Sequence, residues 1–347
     1  MKFNKLCLSL AVAGLFSASA HASLQLTSAY QDAALSVDAL GISTNTLGSL
    51  QADVAAGSTV VQAYLYVSDV FGSGLGNVNF QGNVLAPAGG TILAPNANSA
   101  NTVRYDVTSI VAPIINGGAG GVYNFNYTEL ANLDGAVLVV AYKNASTTGG
   151  TAIVLDGELA SGGDSFKLNF SSPYVSGNAI MSLASSFSYN GNSNVNSTGQ
   201  VTTVDVSTSS APALRRLTSC AGGNDDATPA FIAANGQLMT AGGVGDSAAN
   251  PDPNCAGGAG DDELYNLAAG NSANAAPFIT AGDTFVEFTT RNPSFDDNVF
   301  GLFFTSTFRI TQVNDDPIDN SVPEPGTLAL AGLALAGLAA RRRRQAK

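Results

Sequence analysis

The chain has 347 residues, of which 45% are hydrophobic and only 12% are charged, and it contains 38 glycines and no tryptophan. This composition excludes a highly charged disordered chain and is typical of short strands joined by turns. Residues 23–321 keep 7 of the 14 basic and 25 of the 26 acidic residues, for a net charge of −18, and they contain no histidine. Because phosphate binding needs a basic surface, we expect no nucleic-acid partner.

The N-terminus has the three parts of a secretory signal peptide. Lys2 and Lys5 form the charged region, and residues 6–16 are almost entirely apolar. Ala20 and Ala22 are small residues of the kind that a signal peptidase reads, which predicts cleavage after Ala22. The apolar run is too short to span a bilayer, and this disfavours an uncleaved anchor.

Along the body, apolar and polar residues alternate between clusters of turn residues, which predicts strands. Phe166, Leu168 and Phe170 fall on one face of such a stretch, with Lys167 and Asn169 on the other. This alternation fits antiparallel sheets that have one face in solvent. Short helical turns are expected at residues 107–115 and 262–267. The predicted strands are residues 59–67, 77–85, 101–107, 122–129, 135–143, 151–156, 165–170, 179–189, 200–206, 284–290 and 299–313.

These elements predict an all-β fold, an antiparallel β-sandwich of jelly-roll type, taken as one domain because no repeat period is visible. The phrases VVQAYLYV, VRYDVTSIV, LDGAVLVVAYKN and TAIVLDGE are similar to β-sandwich ectodomains of uncharacterised bacterial surface proteins. That resemblance covers residues 59–160 and implies a fold and a location rather than a reaction. The predicted parts are a signal peptide (1–22), an ectodomain (23–313) with an acidic insert (219–263), a linker (314–321) and a C-terminal tail (322–347).

The insert, residues 219–263, is rich in Gly, Ala, Asn and Asp and contains no Lys or Arg. A loop this long inside a compact domain is usually functional or disordered. Cys220 and Cys255 are the only cysteines outside the leader, and in an oxidising periplasm we expect them to form a disulfide. In the entropic description this cross-link would stabilise the fold by about 3–4 kcal/mol. Two free thiols as metal ligands would lack the histidine that usually completes such a set.

The acidic loops leave two interpretations open. Hard cations such as calcium take six to eight oxygen ligands, which Asp, Asn and backbone carbonyls supply. Alternatively, the same residues form a solvated acidic loop with Asx turn caps, and the sequence has no EF-hand or nonapeptide calcium repeat. The candidate calcium ligands are Asp225, Asp226, Asp246, Asp252, Asp261, Asp262, Asp296 and Asp297.

The body offers little for enzymatic chemistry. Without histidine, Ser-His-Asp and Cys-His catalysis and histidine-ligated zinc are excluded, and we expect no enzyme. A carboxylate-dependent glycan-processing enzyme stays open as an alternative, with Glu158 and Glu287 as arbitrary examples. Carbohydrate binding through aromatic rings is the other alternative, although such rings more often pack in a core. The tyrosines available for it are Tyr30, Tyr64, Tyr66, Tyr105 and Tyr189.

At the C-terminus, a short proline-containing segment precedes an apolar run, residues 326–340, which is predicted to form a transmembrane helix. Fifteen residues span about 22 Å, so snorkelling arginines and local bilayer thinning must cover the rest of the roughly 30 Å core. Basic residues stay cytoplasmic, which places the body on the opposite side of the membrane. The segment before the run is Val322, Pro323, Glu324 and Pro325, and the basic cluster after it is Arg341, Arg342, Arg343 and Arg344.

This order of elements resembles the PEP-CTERM sorting signal, which is found on exported proteins of Gram-negative bacteria that make exopolysaccharide. The resemblance implies that an exosortase, a membrane-embedded cysteine transpeptidase, recognises Pro323, Glu324 and Pro325 and severs the tail. These residues would then be a substrate site, and the two prolines hold the segment extended for processing. A plain tail anchor is the alternative interpretation.

The sequence therefore predicts export through the inner membrane, with transient contact through the tail, and release to the cell surface or the extracellular matrix. We expect a structural or adhesive role associated with exopolysaccharide, in a biofilm or floc. Exosortase is the expected processing partner, and exopolysaccharide or other matrix components are the expected binding partners.

Overall fold

The computed structural model describes residues 24–41, 47–69, 73–93, 101–159, 163–186, 202–221, 239–254, 261–292 and 298–314. All of them belong to one compact unit, Met1–Pro317. The described strands are β1 Gln25–Gln31, β2 Ala34–Gly41, β3 Leu47–Val54, β4 Thr59–Asp69, β5 Val78–Phe80, β6 Asn83–Leu85, β7 Thr91–Ile92, β8 Thr102–Asp106, β9 Gly121–Glu129, β10 Leu133–Lys143, β11 Thr151–Asp156, β12 Ser165–Phe170, β13 Ala179–Ser186, β14 Thr202–Thr208, β15 Arg215–Ala221, β16 Met239–Ala241, β17 Leu264–Asn266, β18 Phe285–Arg291, β19 Asn298–Ser306 and β20 Ile310–Asn314. One α-helix, α1, spans Thr108–Ile115 within the described residues.

The strands pair antiparallel in four sheets. Sheet 1 has the order β3-β9-β5-β6, and sheet 2 has the order β2-β10-β4-β8-β7. Sheet 3 has the order β1-β11-β19-β13-β16, with β17 also paired to β13, and sheet 4 has the order β15-β14-β18-β12-β20. The all-β, antiparallel sandwich prediction is confirmed.

Among the described residues, three hydrophobic cores separate the four sheets, which therefore form two sandwiches packed back to back. Phe125 lies in the core between sheets 1 and 2. Between sheets 2 and 3, the rings of Tyr66 and Phe300 have centroids 5.6 Å apart. Between sheets 3 and 4, Phe288 and Phe304 meet edge to face with centroids 6.1 Å apart. We call sheets 1 and 2 the first sandwich and sheets 3 and 4 the second sandwich.

The sequence pattern of a strand follows from the number of faces that its sheet buries. In β12 of outer sheet 4, Phe166, Leu168 and Phe170 are buried while Lys167 and Asn169 are half-buried, as predicted. In β10 of inner sheet 2, the first nine residues are buried in succession. A strand with a core on each face has no polar side, and its sequence, LDGAVLVVA, is accordingly almost continuously apolar.

Three of the predicted elements differ from the structure. The stretch 77–85 is two strands, β5 and β6, because Gln81 and Gly82 adopt positive φ angles of 51° and 79° and reverse the chain. The stretch 299–313 is also two strands, β19 and β20, which pair in different sheets. Residues 262–267, expected as a helical turn, contain β17. The helical prediction at residues 107–115 is confirmed by α1, whereas β1, β2, β3, β7, β15 and β16 were not predicted.

The same strand order occurs in both sandwiches. In the first sandwich, we number the strands one to eight along the chain from β2 to β10, omitting β7. In spatial order, sheet 2 then contains strands one, eight, three and six, and sheet 1 contains strands two, seven, four and five. Counted from β11, sheets 3 and 4 repeat these two orders, with β16 and β17 sharing the sixth place. β1 and β20 are additions, paired to β11 and β12. Whether the two sandwiches fold as one domain stays a prediction.

A polar network joins the two sandwiches. The carboxylate of Asp156, at the end of β11, accepts a hydrogen bond from the Tyr66 hydroxyl at 2.6 Å and forms an ion pair with Arg104 at 2.6 Å. Thr27 donates to the same carboxylate at 2.7 Å. Because the buried charge of Asp156 is paired and hydrogen-bonded, the network fixes sheet 2 against sheet 3 without leaving an isolated ion.

Within the ranges given above, no helix is both long and apolar enough to cross a membrane. The predicted tail helix, residues 326–340, lies outside the described residues.

Candidate functional site

Most of the residues predicted to carry function lie outside the described residues. This holds for Cys255, and nothing is described of the Cys220 side chain, so the disulfide stays a prediction. The others in this position are Ala20, Ala22, Asp225, Asp226, Asp296, Asp297, Val322, Pro323, Glu324, Pro325, Arg341, Arg342, Arg343 and Arg344.

The four described aspartates of the insert act as hydrogen-bond acceptors for the insert and its neighbouring segments. Asp252 accepts hydrogen bonds from the Asn254 amide and the Ser272 hydroxyl, both at 2.8 Å. Asp262 accepts from the Ser247 amide at 2.9 Å. Asp246 accepts from the Gly243 amide at 2.6 Å. These bonds match the turn-capping interpretation.

Asp261 is buried and accepts three hydrogen bonds. They come from the hydroxyls of Thr218 and Tyr265, the latter at 3.1 Å, and from the amide of Glu263 at 3.0 Å. Burial raises the pKa of Asp261 to about 6 despite these donors, and the charge of Asp262 adds to the rise. Among the described residues, no three acidic, cysteine or histidine side chains are grouped so as to hold a metal ion. Calcium at the predicted acids stays a prediction.

Part of the insert forms one wall of a groove of about 390 Å³ between the two sandwiches. We call it the inter-sandwich groove. Its other walls come from β2, β3, β13 and β19, so that all three of sheets 1, 2 and 3 contribute. Its volume lies within the range of small-molecule sites. The polar residues that line it are Ser36, Asp53, Ser182, Asp246 and Thr305.

Glycines allow the insert to reach this position. After β16 the chain turns through Gly243 and Val244, and the Val244 amide donates to the carbonyl of Val37 in β2 at 2.9 Å. A Cβ atom at Gly243 would lie 1.9 Å from that carbonyl oxygen. Only glycine therefore permits this approach, which brings Asp246 to the rim of the groove.

Hydroxyl groups from both sandwiches face the groove. The Ser36 hydroxyl accepts from the Asp53 amide at 2.9 Å, and the Thr305 hydroxyl accepts from the Leu35 amide at 3.0 Å. The Ser182 hydroxyl is buried, and it has no hydrogen-bond partner within the part of the chain that the structure describes. A buried hydroxyl at a cavity wall is suited to exchange hydrogen bonds with a polar ligand.

The groove is acidic. Asp38 is a residue of β2, and its carboxylate accepts a hydrogen bond from the Gln51 amide of β3 at 2.5 Å. Burial raises the pKa of Asp38 to about 7, and the nearby charge of Asp246 contributes to the rise. Together with Asp53, these groups favour a ligand rich in hydrogen-bond donors, such as a polyol, or a cation, and disfavour an anion.

The groove was not predicted from the sequence. Its serines and threonine come from strands far apart in the chain, and nothing in their local pattern marks them. The available signal was the segment GGVGD at residues 242–246, whose glycines indicate a close backbone approach.

Among the residues considered for sugar binding or catalysis, Tyr64 lies beside Tyr30 and Tyr66, with ring centroids of Tyr64 and Tyr66 6.3 Å apart, whereas the two glutamates lie on different sheets. Tyr66 and Tyr105 are buried, Tyr189 lies outside the described residues, and Tyr64 packs its ring against Arg104 at 5.3 Å. Tyr30 is half-buried on β1. Glu158 is buried beside Thr102 of sheet 2, whereas Glu287 lies on the outer face of sheet 4, 3.6 Å from Lys167.

Residues 321–344 match the PEP-CTERM protein-sorting motif. The predicted sorting signal is therefore confirmed, while the role of each residue in it stays a prediction. The motif marks the chain as an exosortase substrate that is exported across the inner membrane and located at the cell surface or outside the cell after processing.

Comparisons with the curated proteins give no match. Among solved structures, the major capsid protein P2 from Bacteriophage PM2 aligns at 12% identity, with 82% of this chain and 99% of that chain covered. The TM-score is 0.17, at which the alignment carries no argument about fold or function.

Proposed function

We propose that this protein is a structural or adhesive component of an exopolysaccharide matrix, such as a biofilm or floc. The observation that carries the proposal is the sorting motif at residues 321–344, which sends the body outside the cell. The acidic, histidine-free body supports a binding or scaffolding role over catalysis.

The architecture is compatible with a durable extracellular part. Its two inner sheets are covered on both faces, and the polar network around Asp156 joins the sandwiches. The strand order that both sandwiches share supports assigning each to the jelly-roll type, because this order results when a pair of Greek keys closes two facing sheets. The disulfide between Cys220 and Cys255 would add to this durability.

Processing of the tail is the first step of the proposed route. The apolar run 326–340 would hold the protein transiently in the inner membrane, with Arg341 to Arg344 in the cytoplasm, while exosortase cuts near Pro323–Pro325. Mass spectrometry of the protein recovered from its host tests this step. We expect a C-terminus that ends before the apolar run, and full-length protein when Glu324→Ala is introduced. Asn320→Ala, in the linker, is the control and should be processed normally.

The structural role is tested by deleting the gene. Loss of aggregation or biofilm, with unchanged synthesis and turnover of the polysaccharide, is the expected result. Altered polysaccharide length or composition would instead indicate a glycan-processing enzyme and would contradict the proposal.

The inter-sandwich groove favours a second candidate function, carbohydrate binding. Serine and threonine hydroxyls beside Asp53 and Asp246 provide the acceptors and donors that sugar hydroxyls require. A pull-down with the host's purified polysaccharide tests it. We expect Ser182→Ala to weaken binding several-fold and Ser172→Ala, at an exposed position outside the groove, to leave it unchanged. Equal binding by both variants would exclude the groove as the sugar site.

A further inference from the structure

The interior of the first sandwich holds a group of acidic and phenolic side chains at one end. Glu129 is the last residue of β9 in sheet 1, and Asp134 is the second residue of β10 in sheet 2. The chain crosses from one sheet to the other between them and brings both carboxylates to the same end of the sandwich. Glu129 is 1% exposed and Asp134 is fully buried.

Two tyrosines border these carboxylates. Period-2 alternation places Tyr127 on the same face of β9 as Glu129, in the core that Tyr105 of β8 also enters. Burial raises the pKa of Tyr127 well above its ordinary value, and the proximity of Glu129 and then of Tyr105 adds to the rise. Tyr127 is thus close to both Glu129 and Tyr105, and Glu129 is close to Asp134; we call these four residues the interior acidic cluster.

Several oxygen atoms of this cluster lack a partner. Both carboxylate oxygens of Glu129 and the hydroxyls of Tyr105 and Tyr127 are buried and have no hydrogen bond within the described residues. More than about nine in ten buried polar groups in folded proteins are hydrogen-bonded, and those that are not point to strain, water or an ion. Several such atoms in one core, including both oxygens of a carboxylate that lies near a second acid, point to an ion.

Protonation by itself does not satisfy the cluster. Burial and the charge of Asp134 raise the pKa of Glu129 to about 9, so the carboxyl would be neutral near pH 7. A neutral carboxyl still has acceptor oxygens without donors, because no amide or hydroxyl of the described residues reaches them. A divalent cation would neutralise both acids and engage their oxygens at the same time.

The ligand chemistry selects the cation. Every polar atom of the cluster is an oxygen, and residues 23–321 contain no histidine. Oxygen-only sites with two carboxylates favour a hard divalent cation, and calcium accepts irregular sites that magnesium, with its strict octahedral geometry, does not. We infer that the interior acidic cluster binds a calcium ion through Glu129 and Asp134, with the Tyr127 and Tyr105 hydroxyls at its border.

This site is separate from the acids that the sequence suggested as calcium ligands. Asp246, Asp252, Asp261 and Asp262 accept hydrogen bonds from amides or hydroxyls of their own loops. Glu129 accepts none. The inference is also independent of the proposed function, since a matrix protein needs no interior ion.

Thermal unfolding of the purified full-length protein is the first test. After treatment with EDTA, adding calcium to about 1 mM, the weak end of extracellular calcium sites, should raise Tm by roughly 5 °C. Glu129→Gln should abolish the rise, and Glu287→Gln, on the outer face of sheet 4, should retain it. An unchanged Tm in the wild-type protein, or a rise that Glu129→Gln keeps, would overturn the inference. An equal rise with magnesium would overturn the choice of calcium.

Terbium luminescence provides a second test that does not depend on the Glu129 variant. The chain has no tryptophan, so emission sensitised by the protein must come from tyrosine. We expect terbium emission from the wild-type protein that calcium competes away, and that Tyr127→Phe reduces at least two-fold while Tyr30→Phe does not. If Glu129→Gln fails to fold, the terbium measurement alone tests the site. Terbium emission from the wild-type protein that calcium does not reduce would then contradict the inference.

Discussion

Three acidic side chains, one in the first sandwich and two in the second, are buried to nearly the same extent but have different surroundings. Glu129 in the first sandwich is 1% exposed, and Asp261 and Asp283 in the second are 1% and 0% exposed. Glu129 accepts no hydrogen bond within the described residues. Asp261 accepts three from described residues. Asp283 accepts from the amides of Thr280 and Ser210 at 2.8 Å and from the hydroxyls of Thr280 and Ser209 at 3.1 Å.

The pKa values of these three acids follow the number of hydrogen bonds that each carboxylate accepts rather than its burial. Burial and a like charge raise the pKa of Glu129 to about 9. Burial raises that of Asp261 only to about 6, because its donors stabilise the carboxylate. Burial would also raise the pKa of Asp283, but its hydrogen bonds outweigh that effect and lower the pKa to about 2. Donors thus make Asp261 and Asp283 structural acceptors, while Glu129 is left available for an ion.

The largest effect is expected at Asp283. Asp283→Ala removes an acceptor that serves two amides, and it should reduce the free energy of unfolding by about 3 kcal/mol. Since the folded pKa lies below the usual 3.8, the stabilisation is present above pH 4 and is lost as the pH falls toward 2. Urea unfolding of the wild-type protein and the variant from pH 7 to pH 2 measures the loss of stability and its pH dependence. A loss of unfolding free energy below about 1 kcal/mol at pH 7 would contradict the stabilising role of the hydrogen bonds to Asp283.

The second effect has the opposite sign. In EDTA at pH 8, Glu129→Gln should raise the free energy of unfolding by roughly 2 kcal/mol, since it removes a buried group that is ionised in the unfolded chain. The folded pKa is raised, so the wild-type protein should be favoured below pH 4.5 and lose stability as the pH rises toward 9. The variant should lack this slope, and parallel urea titrations across this pH range would show it. Destabilisation of the variant at pH 8 would mean that Glu129 has a donor.

Asp261 should give an intermediate result. Asp261→Asn keeps the shape and one acceptor but loses the charge, so we expect a loss of about 1 kcal/mol. Thr218→Val, which removes one of its donors, should raise the pKa of Asp261 above its present value. Carboxyl carbon chemical shifts followed by NMR would measure that change. A lowered pKa in Thr218→Val would contradict the role of the donors.

The smallest effect tests charge rather than donors. Asp246→Asn removes the like charge near Asp38 and should lower the pKa of Asp38 from about 7 while burial still keeps it above 3.8. The raised pKa makes Asp38 favour folding at low pH and lose that contribution as the pH rises toward 7. The variant should therefore gain a few tenths of a kcal/mol at pH 7. NMR titration of Asp38 measures the shift, with Asp252→Asn as the control.

Local patterns explain what was predictable. Alternation in β12 identified Phe166, Leu168 and Phe170 as buried, because strand side chains alternate between faces whatever the sheet packs against. The sorting signal was equally readable, since its prolines, apolar run and arginines follow one another along the chain. The split of residues 77–85 was missed because Asn83 and Val84 continue the alternation beyond the turn at Gln81 and Gly82.

By itself, the sequence determined the fold class, the acidic body and the destination of the protein, since each depends on composition or on neighbours along the chain. The tertiary structure alone decided that one strand order is used twice, that Gly243 docks on Val37, and that Glu129 is buried near Asp134 without a hydrogen-bond donor of its own among the described residues. Val37 and Val244 are brought together only by the packing of sheet 3 on sheet 2, and no local pattern records which distant backbone will lie opposite. Likewise, whether a buried acid finds donors depends on the partners that packing supplies, because its own neighbours in sequence do not determine them.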